Sequence, residues 1–234
     1  MLCFLLSFIG IGACSNPSLS YTNNNLKIEI KTGAHWLHEF PILFGIKKEN
    51  PPQFAIWLED TLGNYLSTIY VTSKIANESW LANGDNRRQE ALPHWCFQRG
   101  VKYTDGLYLP TKENPFTDCI TGATPKTNKT IQLDFEKVDE PVVIKAEFNH
   151  STDWNDYFPE KAKKGNANYS GGKGGSGQPA IVYSDTIDYQ NSVYQLELIG
   201  RSSADGSTGD LYNDFEKLTS AKEIIESIKV EVVE

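Results

Sequence analysis

The sequence is poor in cysteine, in basic residues and in long apolar runs. Four cysteines without a Cys-x-x-Cys pair argue against a zinc site built on closely spaced thiolates. Lys and Arg number 22 against 30 Asp and Glu, a net charge of −8, whereas phosphate binding needs clustered cations. The G-x-S-x-G and H-E-x-x-H signatures and the dinucleotide fingerprint are also missing. We therefore expect no nucleic-acid partner and no catalytic residues of a classical hydrolase.

Residues 1–13 form the long apolar run and carry no charge. The run is too short to span a bilayer as a helix, which takes about 20 residues, and is typical of a signal-peptide core. It ends in Ile-Gly-Ala-Cys, which resembles the bacterial lipoprotein signal. We expect a signal peptide at 1–13, a lipidated Cys14, a flexible tether over 14–25, and a location in the cell envelope, periplasmic or at the cell surface. An ordinary signal peptide with a chance cysteine is the alternative.

Cysteine usage points to the same compartment. Cys3 lies in the predicted signal peptide, so Cys96 and Cys119 are the two cysteines left in the body of the chain. In an oxidising compartment two such cysteines readily form a disulfide. In the chain-entropy model this loop closure contributes about 3 kcal/mol. We predict a disulfide between them, with two buried free thiols as the alternative.

The pattern over residues 26–234 is mainly β. Apolar and polar residues alternate as in half-buried strands in eight segments: 26–31, 53–58, 66–71, 130–135, 142–148, 180–183, 193–198 and 228–232. Ser220 and Glu223 fit a capping box, which predicts one short helix near the C-terminus. The glycine-rich residues 165–177 are predicted to form a mobile loop. We expect a single domain over 26–234, an antiparallel immunoglobulin- or fibronectin-like β-sandwich.

One short motif carries candidate chemistry. Residues 118–124 read Asp-Cys-Ile-Thr-Gly-Ala-Thr and resemble the acceptor motif of extracytoplasmic flavin transferases, D-x-x-[ST]-G-A-T. The matching positions are Asp118, Thr121, Gly122, Ala123 and Thr124. In that motif the last threonine is esterified with FMN taken from FAD, so the resemblance implies covalent FMN on Thr124. The small side chains of Gly and Ala leave the backbone beside the threonine accessible and flexible. The same residues are also common in ordinary turns, which is the alternative.

Several motifs together are similar to a known family. Residues 54–60, 90–95, 121–125 and 176–179 look like those of predicted periplasmic proteins of unknown function that are often found near flavin transferases and membrane redox proteins. The resemblance implies a sandwich outside the cytoplasm, an electron-transfer role, and a flavin transferase and a membrane redox protein as partners. The alternative is a cofactor-free interaction or ligand-binding module of the envelope.

Other polar clusters have ordinary explanations. His35 and His38 have the spacing of a metal pair on a helix but no third ligand nearby, so no metal is expected. Trp95 either stacks on a flavin or packs in the core. Glu59 and Asp60 precede a turn, where Asp commonly binds backbone N–H groups.

Overall fold

The computed structural model describes residues 19–20, 25–41, 47–80, 87–135 and 140–232. The predicted signal peptide at 1–13 and the predicted lipidation site Cys14 lie outside these residues. Of the predicted tether over 14–25, the structure describes Leu19–Ser20 and Asn25. Leu19–Ser20 pairs with the end of a later strand, and the Asn25 side chain donates to the Phe135 carbonyl at 2.8 Å. Within the described ranges, no helix is long and apolar enough to cross a membrane.

The described residues form strands joined by turns and short helices. The strands are β1 (Leu19–Ser20), β2 (Leu26–Thr32), β3 (His38–Pro41), β4 (Lys47–Asn50), β5 (Gln53–Asp60), β6 (Tyr65–Thr72), β7 (Ile120–Gly122), β8 (Lys129–Phe135), β9 (Val142–Asn149), β10 (Ile181–Ile187), β11 (Val193–Gln195), β12 (Glu197–Arg201) and β13 (Ile225–Val232). The α-helices are α1 (Ser73–Ala76) and α2 (Pro93–Gln98). Segments of 3₁₀ helix cover Gly172–Gly174, Phe215–Lys217 and Ser220–Glu223.

Two sheets pack face to face around the main core. One has the strand order β1-β8-β2-β13-β11 and the other β12-β10-β9-β5-β6-β7. Side chains of alternating strand positions fill the space between them, because successive residues of a strand point to opposite faces. Among these are Ile28, Ile131 and Val230 from the first sheet and Phe54, Ile56 and Phe148 from the second. The pairings are antiparallel except for β6 with β7, so the mainly β class with antiparallel sheets is confirmed.

The six-stranded sheet is covered on its other face as well. Ala55, Trp57 and Val71 on that face pack against α1, α2 and the chain that follows them. Trp95 of α2 is fully buried there. The sheet therefore has an apolar layer on both sides, and its strand β5 is buried at almost every position.

The eight predicted strands are confirmed, whereas four further strands and two α-helices were not predicted: β1, β3, β4, β7, α1 and α2. All eight predicted segments contain a strand, and a turn at Gly63 joins β5 to β6. The predicted short helix is a four-residue 3₁₀ helix, and the capping box is not formed. The Ser220 hydroxyl instead donates to the Asp153 carboxylate at 2.7 Å, because a buried acceptor is available beside it.

Candidate functional site

The predicted flavin-acceptor residues lie on one edge of the six-stranded sheet. β7 pairs in parallel with β6 through Ile120, Thr121 and Gly122, and the chain then crosses to β8 in the other sheet. Tyr70 of β6 donates a hydrogen bond to the Gly122 carbonyl at 3.2 Å. A Cβ atom on Gly122 would lie 3.4 Å from the same hydroxyl, so the glycine allows this close approach.

Thr124 lies at the rim of the sandwich. Its hydroxyl donates to the Pro52 carbonyl at 2.9 Å and accepts no hydrogen bond from the described residues. The side chain is half-buried, and Ala123 before it is exposed. The indole N–H of Trp36 fixes the following residue by donating to the Pro125 carbonyl at 3.0 Å. The backbone around Thr124 is thus anchored, and the residue is only partly enclosed.

No hydrogen bond among the described residues joins the side chain of Asp118 or Thr121 to Thr124. Both side chains are exposed, and Asp118 accepts a hydrogen bond of 3.4 Å from Thr117. Asp118 and Thr121 thus lie exposed on the edge of the sheet, whereas Thr124 is bound to Pro52. Within the described residues, the motif places no acid or base side chain at Thr124. Esterification of the Thr124 hydroxyl would therefore need an acid and a base from a second protein.

The predicted disulfide is not formed. Cys96 and Cys119 are free, and the bridge expected between them is wrong for this structure. Cys96 points from α2 into the apolar layer, whereas Cys119 lies at the start of β7 with its sulfur 3.4 Å from the Ile120 carbonyl. Burial raises the pKa of Cys119 to about 12 and raises that of Cys96 still further. Both groups are unreactive thiols at neutral pH.

Trp95 is a core residue, as one of the two interpretations expected. It is fully buried, and its indole N–H donates to Thr68 at 2.9 Å. The guanidinium of Arg99 lies over its ring at 4.7 Å and over that of Phe116 at 4.4 Å. No face of Trp95 is left for a flavin or another ligand to stack on.

The two histidines predicted as an ordinary pair lie in a turn and a strand. His35 precedes β3, and His38 begins it. His38 contacts Asp153 at 3.7 Å and the ring of His150 at 5.4 Å between centroids. In the described part of the chain, no cluster of three or more His, Cys, Asp or Glu side chains has the arrangement of a metal site.

Glu59 and Asp60 have different environments. Asp60 accepts the backbone N–H groups of Leu62 and Asn64, at 2.9 and 2.8 Å, which is the turn role expected for it. Glu59 is buried and forms an ion pair of 2.8 Å with Lys145. Both carboxylates are bound by protein groups and have a structural role.

Sequence reasoning missed the carboxyl group that attaches α2 to the sheet. Glu147 of β9 is fully buried and accepts the backbone N–H groups of His94 and Trp95, at 3.2 and 2.8 Å, and the hydroxyl of Ser202. Burial raises the pKa of Glu147 to about 7 and lowers that of His94. The alternation of β9 gave no sign of this carboxyl, because a buried and an exposed Glu look alike in a sequence.

The glycine-rich segment is ordered, which corrects the prediction of a mobile loop. Ser176 is fully buried and donates to Asn149 at 2.6 Å. Gln178 donates to Asp153 at 3.0 Å and accepts the backbone N–H of Thr219 at 2.6 Å. Through these hydrogen bonds the segment links the residues at the end of β9 to the 3₁₀ helix before β13. Its glycines allow the backbone to lie close to these parts of the protein.

A cleft of about 290 Å³ lies between α2 and the chain that follows it. Phe97 and Tyr108 stack there with ring centroids 4.3 Å apart. Gln89, Lys102 and Ser207 supply its polar lining, and no residue of 118–124 contributes. The cleft is thus separate from Thr124.

Comparison of the chain with protein-family models, with curated proteins and with solved structures gave no match. Of the residues described, Thr124 is half-buried at the rim of the sandwich, whereas the carboxyl group of Glu147 and the thiol of Cys96 are enclosed by the fold.

Proposed function

We propose that this is a lipid-anchored protein of the cell envelope that carries FMN covalently on Thr124 and transfers electrons to a membrane redox protein. The observation that supports this most directly is that Thr124 is half-buried at the rim of the sandwich, within a match to the acceptor motif, and that its hydroxyl has one hydrogen bond, to the Pro52 carbonyl. The Ile-Gly-Ala-Cys sequence ending at Cys14 supports the anchor.

The loop geometry suits attack by this hydroxyl. The single hydrogen bond of Thr124 uses the proton of the hydroxyl, so the oxygen lone pairs are not engaged by other described groups. Exposed Ala123 and half-buried Gly122 place little bulk beside it. A transferase reaches the oxygen by displacing one hydrogen bond to Pro52, without opening the core.

The transfer step balances with FAD as the donor. The Thr124 oxygen attacks the phosphorus atom that bears the riboflavin, and a new O–P bond forms. The pyrophosphate P–O bond breaks, AMP leaves, and the hydroxyl proton passes to a base of the flavin transferase. Bound flavin supplies the redox chemistry, and the chain supplies its position and surroundings.

The first prediction is that one FMN per chain is attached to Thr124. Full-length protein is produced with an extracytoplasmic flavin transferase, denatured, and analysed by intact mass and peptide mapping. We expect one FMN adduct in the wild type, none in Thr124→Ala, and an unchanged adduct in Thr127→Ala. Thr127 is a matched control because it is an exposed threonine three residues beyond Thr124 and outside the motif.

A clear negative result is equally informative. If wild-type chain carries no FMN in cells where a second acceptor protein is loaded, the proposal is wrong. The cofactor-free interaction or ligand-binding module is then the better description. Loss of the adduct in Thr127→Ala as well as Thr124→Ala would also contradict the assignment to Thr124.

A further inference from the structure

The cleft between α2 and the chain that follows it has the size and lining of a small-ligand site. Its volume of about 290 Å³ is near the lower end of the range for ligand pockets, about 300–1,000 Å³. Phe97, Leu107 and Tyr108 supply apolar side chains, and Lys102 supplies a positive charge. Apolar walls with a few polar groups are typical of pockets that bind small organic molecules.

The wall that carries Leu107 and Tyr108 is held in place by Arg87. The Arg87 guanidinium donates to the carbonyls of Leu109 and Pro110, at 2.8 and 2.9 Å. It also forms an ion pair of 2.6 Å with Asp105. Both ends of the segment 105–110 are thus attached to one side chain, and the wall is formed before any ligand enters.

The loop that carries Ser207 packs directly on Gln89 and on α2. A Cβ atom on Gly206 would collide with the Gln89 carbonyl, and one on Gly209 would lie 2.5 Å from Cβ of Phe97. The Gln89 side-chain amide donates to the backbone carbonyl of the loop at Asp205, at 2.7 Å. This part of the lining is also preformed, which lowers the cost of ordering the site when a ligand binds.

Lys102 gives the cleft a positive charge that lacks a counter-ion. Its side chain is exposed, and its ammonium group lies 5.9 Å from the centroid of the Tyr108 ring. Among the described residues, no carboxylate forms an ion pair with it within 4.0 Å. The charge therefore lies next to the aromatic surface of the cleft and is available to an anion.

Two carboxylates that neighbour the lining along the chain have other partners. Asp105 pairs with Arg87 at 2.6 Å, and the Asp205 carboxylate accepts the hydroxyl of Ser207 at 2.7 Å. Neither neutralises Lys102. Their negative charges nevertheless disfavour a ligand with more than one negative charge, because like charges repel.

We propose that this cleft binds a small organic carboxylate, a single negative charge on a compact apolar body. The carboxylate pairs with Lys102, and the apolar body lies against Phe97 and Tyr108. Hydrogen bonds between an ammonium group and a carboxylate are stronger than those between neutral groups. No residue of 118–124 lines the cleft, so this inference does not depend on FMN at Thr124.

The test measures the affinity of the full-length chain for phenylacetate and for phenylacetamide by titration calorimetry. The two probes have nearly the same size and shape and differ in charge. We expect a Kd of about 1 mM for phenylacetate and one at least about tenfold higher for phenylacetamide. Phenyl phosphate, which is mostly a dianion at pH 7.5, should bind more weakly than phenylacetate.

Substitutions in the cleft identify the groups that bind. Lys102→Gln should weaken the binding of phenylacetate about tenfold and leave that of phenylacetamide unchanged. Lys102→Arg keeps the affinity, because the charge remains. Lys112→Gln is the matched control, since Lys112 is an exposed lysine outside the lining and its loss changes the net charge equally. Ser207→Trp, which fills the cleft, should abolish the binding of both probes in a chain whose Tm shows that it is folded.

The opposite results would overturn the inference. The cleft is not a carboxylate site if phenylacetate does not bind at ten times the expected Kd, or if phenylacetamide binds equally well. The same holds if Lys102→Gln or folded Ser207→Trp binds phenylacetate like the wild type. Tighter binding of phenyl phosphate would make the cleft a phosphate site instead. Equal losses in Lys112→Gln and Lys102→Gln would attribute the effect to net charge and not to the cleft.

Discussion

Glu147 shows how one residue connects a helix to a sheet. Its carboxyl group meets two backbone N–H groups at the start of α2 and the hydroxyl of Ser202. Burial raises its pKa to about 7, far above that of a hydrated glutamate, because the charged form loses its water. The folded state therefore holds a proton at pH values where the unfolded chain has released it.

This raised pKa predicts a pH-dependent stability. The contribution of Glu147 is fully present below the pKa of the unfolded chain, near 4.5, and decreases as the pH rises through about 7. Its slope is at most about 1.4 kcal/mol per pH unit. In Glu147→Gln this pH dependence disappears, because the amide does not ionise. The amide has only one acceptor oxygen, so one of the two backbone N–H groups of α2 loses its acceptor, at a cost of about 1–3 kcal/mol. We expect the variant to be less stable than wild type at pH 5 and the gap to narrow by pH 7.5.

Urea unfolding at the two pH values measures this gap. Glu197→Gln is the control, since Glu197 is an exposed carboxyl group on β12. Its difference from wild type should be the same at pH 5 and pH 7.5. A gap that stays constant for Glu147→Gln, or widens towards pH 7.5, would mean that Glu147 is ionised in the folded state throughout this range.

At the scale of elements, the glycine-rich segment 165–177 differs most from its prediction. A composition of Gly, Ser and Lys usually indicates a flexible linker. Here Gly177 has a φ of +82°, and a Cβ atom on it would lie 2.4 Å from the Asp153 carbonyl. Gly177 therefore serves close packing, and the buried Ser176 and its neighbour Gln178 hold this end of the segment in place.

Gly177→Ala should be strongly destabilising. The added methyl group must displace backbone of the segment after β9, and such overpacking costs about 1–3 kcal/mol beyond the cost of a positive φ. Gly165→Ala is the matched control, because Gly165 has a φ of +93° and no atom within 4 Å of an added Cβ. We measure the loss in free energy of unfolding for each variant. The difference between the two losses is the cost of crowding by the added methyl group at Gly177. Equal losses would show that the segment is not packed against Asp153.

At the scale of the molecule, two apolar layers stabilise the fold without a cross-link. The main core lies between the sheets, and the second covers the outer face of the six-stranded sheet. Cys96 and Cys119 pack in or against the second layer as thiols. The raised pKa of each keeps it in the thiol form at neutral pH, whereas the form that reacts with oxidants is the thiolate.

We therefore expect reduction to leave the stability unchanged. Protein purified without reductant is unfolded in denaturant and alkylated directly, and peptide mapping should show both Cys96 and Cys119 labelled. The Tm should be the same with and without dithiothreitol. A disulfide would instead block labelling of both residues, and its reduction would lower the free energy of unfolding by about 3 kcal/mol.

Alternation of apolar and polar residues was enough to predict the strands but not the layers outside them. In β2 and β8 the alternation is regular, because one face meets the core and the other meets water. In β5 it is lost, since α1 and α2 bury the second face. Nothing local in residues 93–98 indicates a helix over that face, because the Pro at its start and two aromatic residues fit several conformations.

Sequence by itself determined the β class, the positions of eight strands and the Thr-Gly-Ala-Thr pattern, because these depend on neighbouring residues along the chain. Tertiary structure decided that Cys96 and Cys119 stay unbonded, that Gly177 packs against the backbone of Asp153, and that the carboxyl group of Glu147 lies buried under α2. These properties arise from contacts between residues far apart in the chain, where distance in space, burial and charge act together and no local pattern records them.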